Sequence, residues 1–455
     1  MSIKKMLFVV LAASLVASAV MMAVGITPTH ARPPELAPPA DGLAHPVSED
    51  ASPAGLLSPI LGSWINIWTT DSVDNLTPAV AYNSNHDEYL VVWYNEQNTG
   101  TWDIYAQRVD GDGSLLSNFT VFHDTGHHDW QPDVAYNPDQ DEYLIVYTYE
   151  NSSSDYDVYA RLVKWNGADL GDPRYAEFAI NNDVDKQWNP AVAYNSQNNE
   201  YLVVYENWWA GGTRDIDARR VDKDGNPLGG SSGVNIATGT GQVRSFPDVA
   251  YNAARNEYLI VYNYTSGTNG DILAKVASAN LGTLSSEKTI CADSYDQDFP
   301  AVAAGPDEYL VVWEDGTWGT NDYDIYARRV SGDGTPQGHS GGFEIDGLSD
   351  SNLHVDPAVA YGAGYGYLVA WRYYEGGSNQ NIYGRYVMPG QNSAAGDEFA
   401  IDDDSDSQRY PAVACNLQGD CLVVEEDNFP GADYEIRGRF VKPHHIYLPL
   451  ALRNH

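Results

Sequence analysis

The chain has 455 residues, with 63 Asp and Glu against 25 Lys and Arg, a formal net charge of −38. Hydrophobic residues make up 43 %, and Tyr (32) far outnumbers Phe (10) beside 41 Gly and 24 Pro, a turn-rich and strand-leaning mixture. The apolar content excludes wholesale disorder, and so negative a field argues against nucleic acid or an anionic membrane surface as a partner.

At the N-terminus Lys4 and Lys5 precede an apolar stretch from Met6 to Ile26, followed by the small-residue site Thr29-His30-Ala31. This order is that of a secretory signal over residues 1–31. The apolar run is also long enough to span a bilayer, so retention as an anchor stays open. Residues 32–59 are rich in Pro and Ala and predict an extended linker. Nothing after it is apolar enough to cross a membrane, so the mature form is expected to be exported, not membrane-spanning and monomeric.

The next 380 or so residues repeat. PAVAYN or a near copy starts at Pro78, Pro132, Pro190, Pro247, Pro300, Pro357 and Pro411, at intervals of 53 to 58 residues. Each copy continues with an EYLVVW-like run, a DIYARRV-like run and an F-x-I-like run. In the first copy these are Glu88–Trp93, Asp103–Val109 and Phe119–Val121. All are short, rich in Val, Ile and Tyr, and bounded by turn residues, as strands are. Asp-Gly pairs such as Asp112-Gly113, Asp224-Gly225 and Asp333-Gly334 suit tight hairpins between the third and fourth runs. One copy therefore reads as a four-stranded antiparallel meander that must cover both faces against neighbours. Seven such copies predict an all-β, seven-bladed β-propeller over residues 60–442.

The last copy lacks an F-x-I run after its third strand, Tyr434–Val441. Ile65–Thr69 stands 13 residues before Pro78, as Phe119 stands 13 before Pro132, so the N-terminal strand is expected to complete the last blade and hide its edge. Ile446–Leu452 competes for that place, though Pro449 opposes regular pairing there. Residues 443–455 are a C-terminal tail.

The PAVAYN, EYLVVW, DIYARRV and F-x-I pattern resembles the blade repeats of secreted bacterial β-propeller proteins, over about residues 64–441. It differs from the WD40, kelch and Asp-box patterns, so the resemblance implies a fold and no characterised activity. The tail HHIYLPLALRNH is similar to short C-terminal tails of other exported bacterial proteins.

Residues common to every copy are explained by the fold, so departures from the repeat are the better guide to function. Cys415 and Cys421 replace the two facing Tyr of other hairpins, such as Tyr82 and Tyr89, and in an exported protein predict a disulfide. Cys291 is left as a single thiol, inert or intermolecular. Strand order puts the loops between second and third strands, and those between blades, on one face. Trp102, Trp130, Trp188, Trp208, Trp209 and Trp318 fall there, with Tyr373, Tyr374, Tyr410 and Phe429. Aromatic faces among short polar side chains suit sugar rings; mutual packing that stiffens the face is the alternative. The Asp opening the third strand (Asp103, Asp157, Asp215, Asp271, Asp324) recurs and reads as structural. Asp133 and Asp248 stand where other copies place Ala after the Pro and, with Asp298 and Asp356, are candidates to hold Ca²⁺.

For catalysis, Glu425 and Glu426 are acidic where other second strands end in an aromatic residue and a variable one. His127, His128 and His354, with Arg244, Arg372 and Arg409, lie in or beside the loops between blades, but the first two histidines fall far from the third around the ring. No nucleophile elbow, zinc motif or phosphate loop occurs. The sequence thus favours a non-catalytic recognition module for a glycan or another cell-surface ligand, with a polysaccharide-active enzyme, hydrolase or lyase, as the alternative.

Overall fold

The structure, a computed structural model, describes residues 58–443 except 70–72, 97–99, 124–125, 153–154, 169–171, 210–211, 231, 266, 268, 317–322, 348–351, 377–378 and 429–432. The leader, almost all of the linker, the tail, Trp318, Phe429 and the competing strand at 446–452 lie outside the described residues.

Seven antiparallel blades form a ring, and a single turn of 3-10 helix, Pro173–Tyr175, is the one helical element among the described residues. Blade 1 runs Asn75–Asn83, Glu88–Glu96, Trp102–Asp110 and Leu115–Phe122, from the channel outward. Blade 7 consists of Ser407–Cys415, Cys421–Asn428 and Glu435–Lys442, and its fourth strand is Ile60–Trp68, which pairs with Glu435–Lys442. The end strand thus closes the ring, because the outer edge of the third strand of blade 7 would otherwise present unpaired N–H and C=O groups.

The constant residues of the repeat act between blades. Tyr89, Val91 and Trp93 on one face of a second strand pack with Ala414, Leu422 and Val424 of blade 7, and Tyr201, Val203 and Tyr205 meet Ala135, Leu144 and Val146 of blade 2. A strand covered on both faces must be apolar on both, which is why EYLVVW shows no polar alternation. In blades 1, 3 and 5 the Glu that opens it is buried and paired with a third-strand Arg: Glu88 with Arg108, Glu200 with Arg220, Glu308 with Arg329. A neighbouring basic residue reaches back to the preceding blade. Arg328 donates to the Ile290 carbonyl (2.6 Å), Arg385 to Ile345 (2.7 Å), Arg439 to Ile401 (2.8 Å) and Lys275 to Ile236 (2.8 Å). The Asn of PAVAYN accepts the N–H groups of the following turn, as Asn83 does from Asn85 and His86.

Cys415 and Cys421 face each other across the first hairpin of blade 7 and form a disulfide. The same place in other blades holds stacked tyrosines, Tyr82–Tyr89 at 5.1 Å and Tyr136–Tyr143 at 5.0 Å between centroids. Cys291 is buried.

The Pro of PAVAYN has a local cause. In every first strand the register breaks around it: between Leu76 and Ala79, Trp130 and Asp133, Trp188 and Ala191, Ser245 and Asp248, Asp298 and Ala301, Val355 and Ala358, Arg409 and Ala412. This is a β-bulge, where a residue without an N–H costs the ladder nothing. The residue before the Pro is left-handed in all seven blades, with φ from 46° to 53° (Thr77, Gln131, Asn189, Phe246, Phe299, Asp356, Tyr410). None is Gly, so each stores strain of about 1–3 kcal/mol that the surrounding sheet must impose.

Candidate functional site

The bulge builds a mouth for the central channel. The first strands are innermost, and the seven left-handed residues are all half-exposed where those strands begin. Immediately before them, one residue per blade pairs directly with a residue near the end of the second strand: Leu76 with Tyr94, Trp130 with Thr148, Trp188 with Glu206, Ser245 with Asn263, Asp298 with Glu314, Val355 with Arg372 and Arg409 with Glu426. Three positions per blade therefore converge here, and they differ in chemistry from copy to copy while the flanking PAVAYN and EYLVV stay nearly constant.

The mouth has three sectors. On blades 4 and 5, Phe246 and Phe299 lie 4.3 Å apart between ring centroids. On blade 3, Glu206 accepts from Trp188 Nε1 (2.8 Å), Asn189 Nδ2 (2.6 Å) and the Phe246 N–H (2.9 Å) and is fully satisfied. Blades 5 to 7 carry the charge. Glu314 accepts the Asp356 N–H at 2.7 Å, Asp356 pairs with Arg372 at 2.6 Å, and Glu426 holds Arg409 at 2.6 Å and the Thr77 N–H. Tyr410 lies beneath both guanidiniums, 5.0 Å from Arg372 and 5.4 Å from Arg409, and Tyr434 lies 3.5 Å from Arg409. Burial, then the charge of Asp356, pushes the Glu314 carboxyl well above its ordinary value, and burial with Asp296 does the same to Asp298.

The aromatic residues singled out in the sequence form a neighbouring arc over blades 1 to 3. Trp102 meets Trp130 edge-on at 5.7 Å, Trp130 meets Tyr156, Tyr156 stacks on Trp188, and Trp188 meets Trp208 at 4.5 Å. Trp102, Trp130 and Trp188 are buried in this arc, Trp208 is half-buried under Arg214, and Trp209 is 43 % exposed. Tyr373 is buried against His354, whereas Tyr374 is half-buried beside Arg372.

The acidic candidates divide. Asp133 accepts the N–H groups of Val134 and Val192, and Asp248 those of Val249 and Val302, so each ties its blade's inner strand to the next (2.7–2.8 Å). Burial pushes Asp133 up to about 6 and Asp248, with Asp133's charge adding to it, to about 7. Among the described residues no group of three or more His, Cys, Asp or Glu side chains is arranged to hold a metal ion. Of the repeated third-strand acids, Asp215 accepts the Gly239 N–H and Asp103 meets His123. Glu425 is buried in the seam between blades 6 and 7 beside Asp402, away from its neighbour Glu426 at the mouth. His354 is wholly buried against Asp346, while His127 and His128 sit by Tyr149 and Glu150. Arg244 is turned to Glu287, whereas Arg372 and Arg409 belong to the mouth.

Asp298, Asp356, Arg372, Arg409, Tyr374, Tyr410 and Glu426 each stand out in the sequence for a different reason, and only the fold joins them. Phe246, Phe299 and Glu314 do not stand out in the sequence by residue type. The signal that joins them is a position and not a residue type: the slot before each Pro holds Thr, Gln, Asn, Phe, Phe, Asp and Tyr in an otherwise regular repeat.

No protein-family model and no curated protein matches the chain. Among solved structures it is similar to a protein of unknown function from Dyadobacter fermentans (11 % identity, TM-score 0.52), with 85 % of this chain and 100 % of that one covered. An alpha-L-arabinanase of Penicillium chrysogenum complexed with arabinobiose aligns at 13 % identity and TM-score 0.48, over 84 % of this chain and 99 % of that one. A Hadza microbial sialidase aligns at 11 % and 0.45, over 78 % and 76 %. At such identities the likeness is one of fold.

Proposed function

We propose that the chain is an exported recognition propeller that binds a glycan at the channel mouth, with leader 1–31, linker 32–59 and tail 443–455 flanking the disc. The observation that carries this reading is the convergence of three blade-variable positions on one rim of an otherwise repetitive ring. A scaffold alone has no need of that variety, and the sheet imposes backbone strain at seven of these positions to present it. Half-exposed Phe246, Phe299, Tyr374 and Tyr410 offer faces for sugar rings, and the carboxylates and guanidiniums among them offer partners for hydroxyls. Trp208 and Trp209 extend the surface toward blade 3. The Cys415–Cys421 disulfide suits an oxidising compartment.

A glycan array on the mature chain tests this. Tyr410→Ala and Phe299→Ala should each weaken binding about tenfold, in line with the loss of one aromatic contact of up to about 1.5 kcal/mol. Trp209→Ala should cost less. Binding unchanged by both mouth variants would move the site away from the channel. The unpartnered carboxyl at the mouth favours a second reading, cleavage of the bound glycan.

A further inference from the structure

We propose that the channel mouth cleaves a glycosidic bond of a neutral glycan, with Asp298 as the proton donor and Asp356 as the carboxylate that activates water. This deepens the reading that a glycan occupies the mouth and rests on it.

Asp298 is the exception among the mouth's acids. Glu206, Glu314, Asp356 and Glu426 each hold a backbone N–H, a guanidinium or an indole. Asp298 is half-exposed, opens onto the mouth, and has no hydrogen-bond or ion-pair partner among the described residues. Directly across the ladder stands a second carboxyl, Glu314, which is 5 % exposed. The two guanidiniums of this sector are engaged elsewhere, Arg372 by Asp356 and Arg409 by Glu426. Two carboxyls facing each other, with the nearest guanidinium committed to Asp356, cannot both ionise cheaply, so one proton stays with the pair. Glu314 spends one oxygen on the Asp356 N–H, which leaves Asp298 the member free to offer the proton to a ligand.

Asp356 is the contrasting group. Burial pushes it up too, but Arg372 and Arg409 pull it back toward the charged form. Both carboxyls are raised by burial, but two guanidiniums oppose the rise at Asp356 and none opposes it at Asp298, so Asp356 is held nearer the charged form, and a protonated carboxyl near a charged one is what bond cleavage at a sugar requires. The Asp298 proton passes to the glycosidic oxygen, and the C1–O bond breaks with its electron pair going to that oxygen. Water adds its oxygen to C1 while Asp356 takes one of its protons. The net change is addition of one water, and exchange with solvent returns a proton to Asp298 and removes one from Asp356. A neutral substrate is favoured because Asp298, Glu314, Asp356 and Glu426 outnumber Arg372 and Arg409, and both of these guanidiniums are already engaged among the described residues. The groups that bear on Asp298 are Asp296 on its own segment, Glu314 on the adjacent strand, and Asp356 and Arg372 of blade 6 through Glu314. Blade 4 presents Ser245, Phe246 and Asn263 at this level, none of them charged.

The test uses the mature chain with unactivated disaccharides and 4-nitrophenyl glycosides of neutral pentoses and hexoses, alongside the glycan array. Wild type should cleave both kinds. Asp298→Asn should lose about 10²–10⁴-fold on the disaccharides, the usual worth of a general acid, yet keep most of its rate on 4-nitrophenyl glycosides, whose leaving group needs no proton. Glu314→Gln should move the alkaline limb of the pH–rate profile to lower pH, an effect a merely structural residue would not produce. Array binding without hydrolysis of any bound glycan overturns the proposal and leaves the recognition reading standing. An Asp298→Asn variant as fast as wild type on disaccharides overturns it too. Neither binding nor cleavage would sink both readings. A substrate-free check is the infrared carboxylic-acid band at pH 7: the wild-type minus Asp298→Asn difference should contain it, and its absence counts against the proton donor.

Discussion

Replacing Arg409 with Met tests how the ring is held at its closing seam. Glu426 is wholly buried and accepts from Arg409 Nε at 2.6 Å and from the Thr77 N–H at 2.5 Å, so it joins blade 7 to blade 1. Arg409→Met leaves a buried carboxylate without its cation, a change that costs about 3–5 kcal/mol when the charge stays. Protonation caps that cost. Burial already raises the Glu426 carboxyl above its ordinary value of 4.5, with Arg409 the leading opposing influence. Once Arg409 is gone, holding the proton at pH 7 costs about 1.4 kcal/mol for each unit above 4.5, roughly 3–4 kcal/mol in all. The sign follows from the raised folded-state value. The folded form binds the extra proton, so the penalty is absent below the unfolded pKa, grows as pH rises, and levels off above the folded one. Urea unfolding followed by tryptophan fluorescence should show Arg409→Met losing about 3 kcal/mol at pH 7 and about 1 kcal/mol at pH 5. Arg409→Met/Glu426→Gln should recover most of the pH 7 loss. An equal loss at the two pH values, or a loss well below the pH 7 figure, would mean that Arg409 does not hold the Glu426 charge in place.

Two further outcomes concern stability. Cys415→Ala/Cys421→Ala should lower unfolding free energy by about 2 kcal/mol, the chain-entropy value for a loop as short as this six-residue separation. Cys415→Tyr/Cys421→Tyr, which restores the pair found in other blades, should recover part of it, and an unchanged urea midpoint in the Ala variant would deny the clamp. The wild-type protein should also be more stable near pH 5 than near pH 8. Burial raises Asp133, Asp217 and Asp315 to about 6 and Asp157 and Asp248 to about 7, so folded carboxyls keep protons that unfolded ones release above pH 4. Stability then falls as pH climbs from about 4 through these values; a urea midpoint that rose over that range would contradict the burial described.

The architecture was legible because each repeat states its own strands, and residues that recur from copy to copy serve contacts that recur from blade to blade. Arg328, Arg385 and Arg439 illustrate this, each clasping the carbonyl of the preceding blade's Ile. The strand borrowed from Ile60–Trp68 and the disulfide were legible for the same reason, as one gap and one double exception in a regular pattern. The site was legible only in pieces. Tryptophans drew attention as the largest aromatic groups, yet Trp102, Trp130 and Trp188 satisfy one another inside the arc.

The ring is written in the chain: its period, blade count, closure and disulfide all follow from local pattern and from the need to cover two faces of each sheet. Which variable residues meet is settled only when the blades close on one another. Asp298, Asp356, Tyr410 and Phe246 are more than fifty residues apart in neighbouring copies, and nothing in one repeat says where the next will place its own. The bulge at each Pro lifts one side chain out of the ladder, and closure brings seven of them to a common mouth. That convergence is a property of the circle, and no single blade carries it.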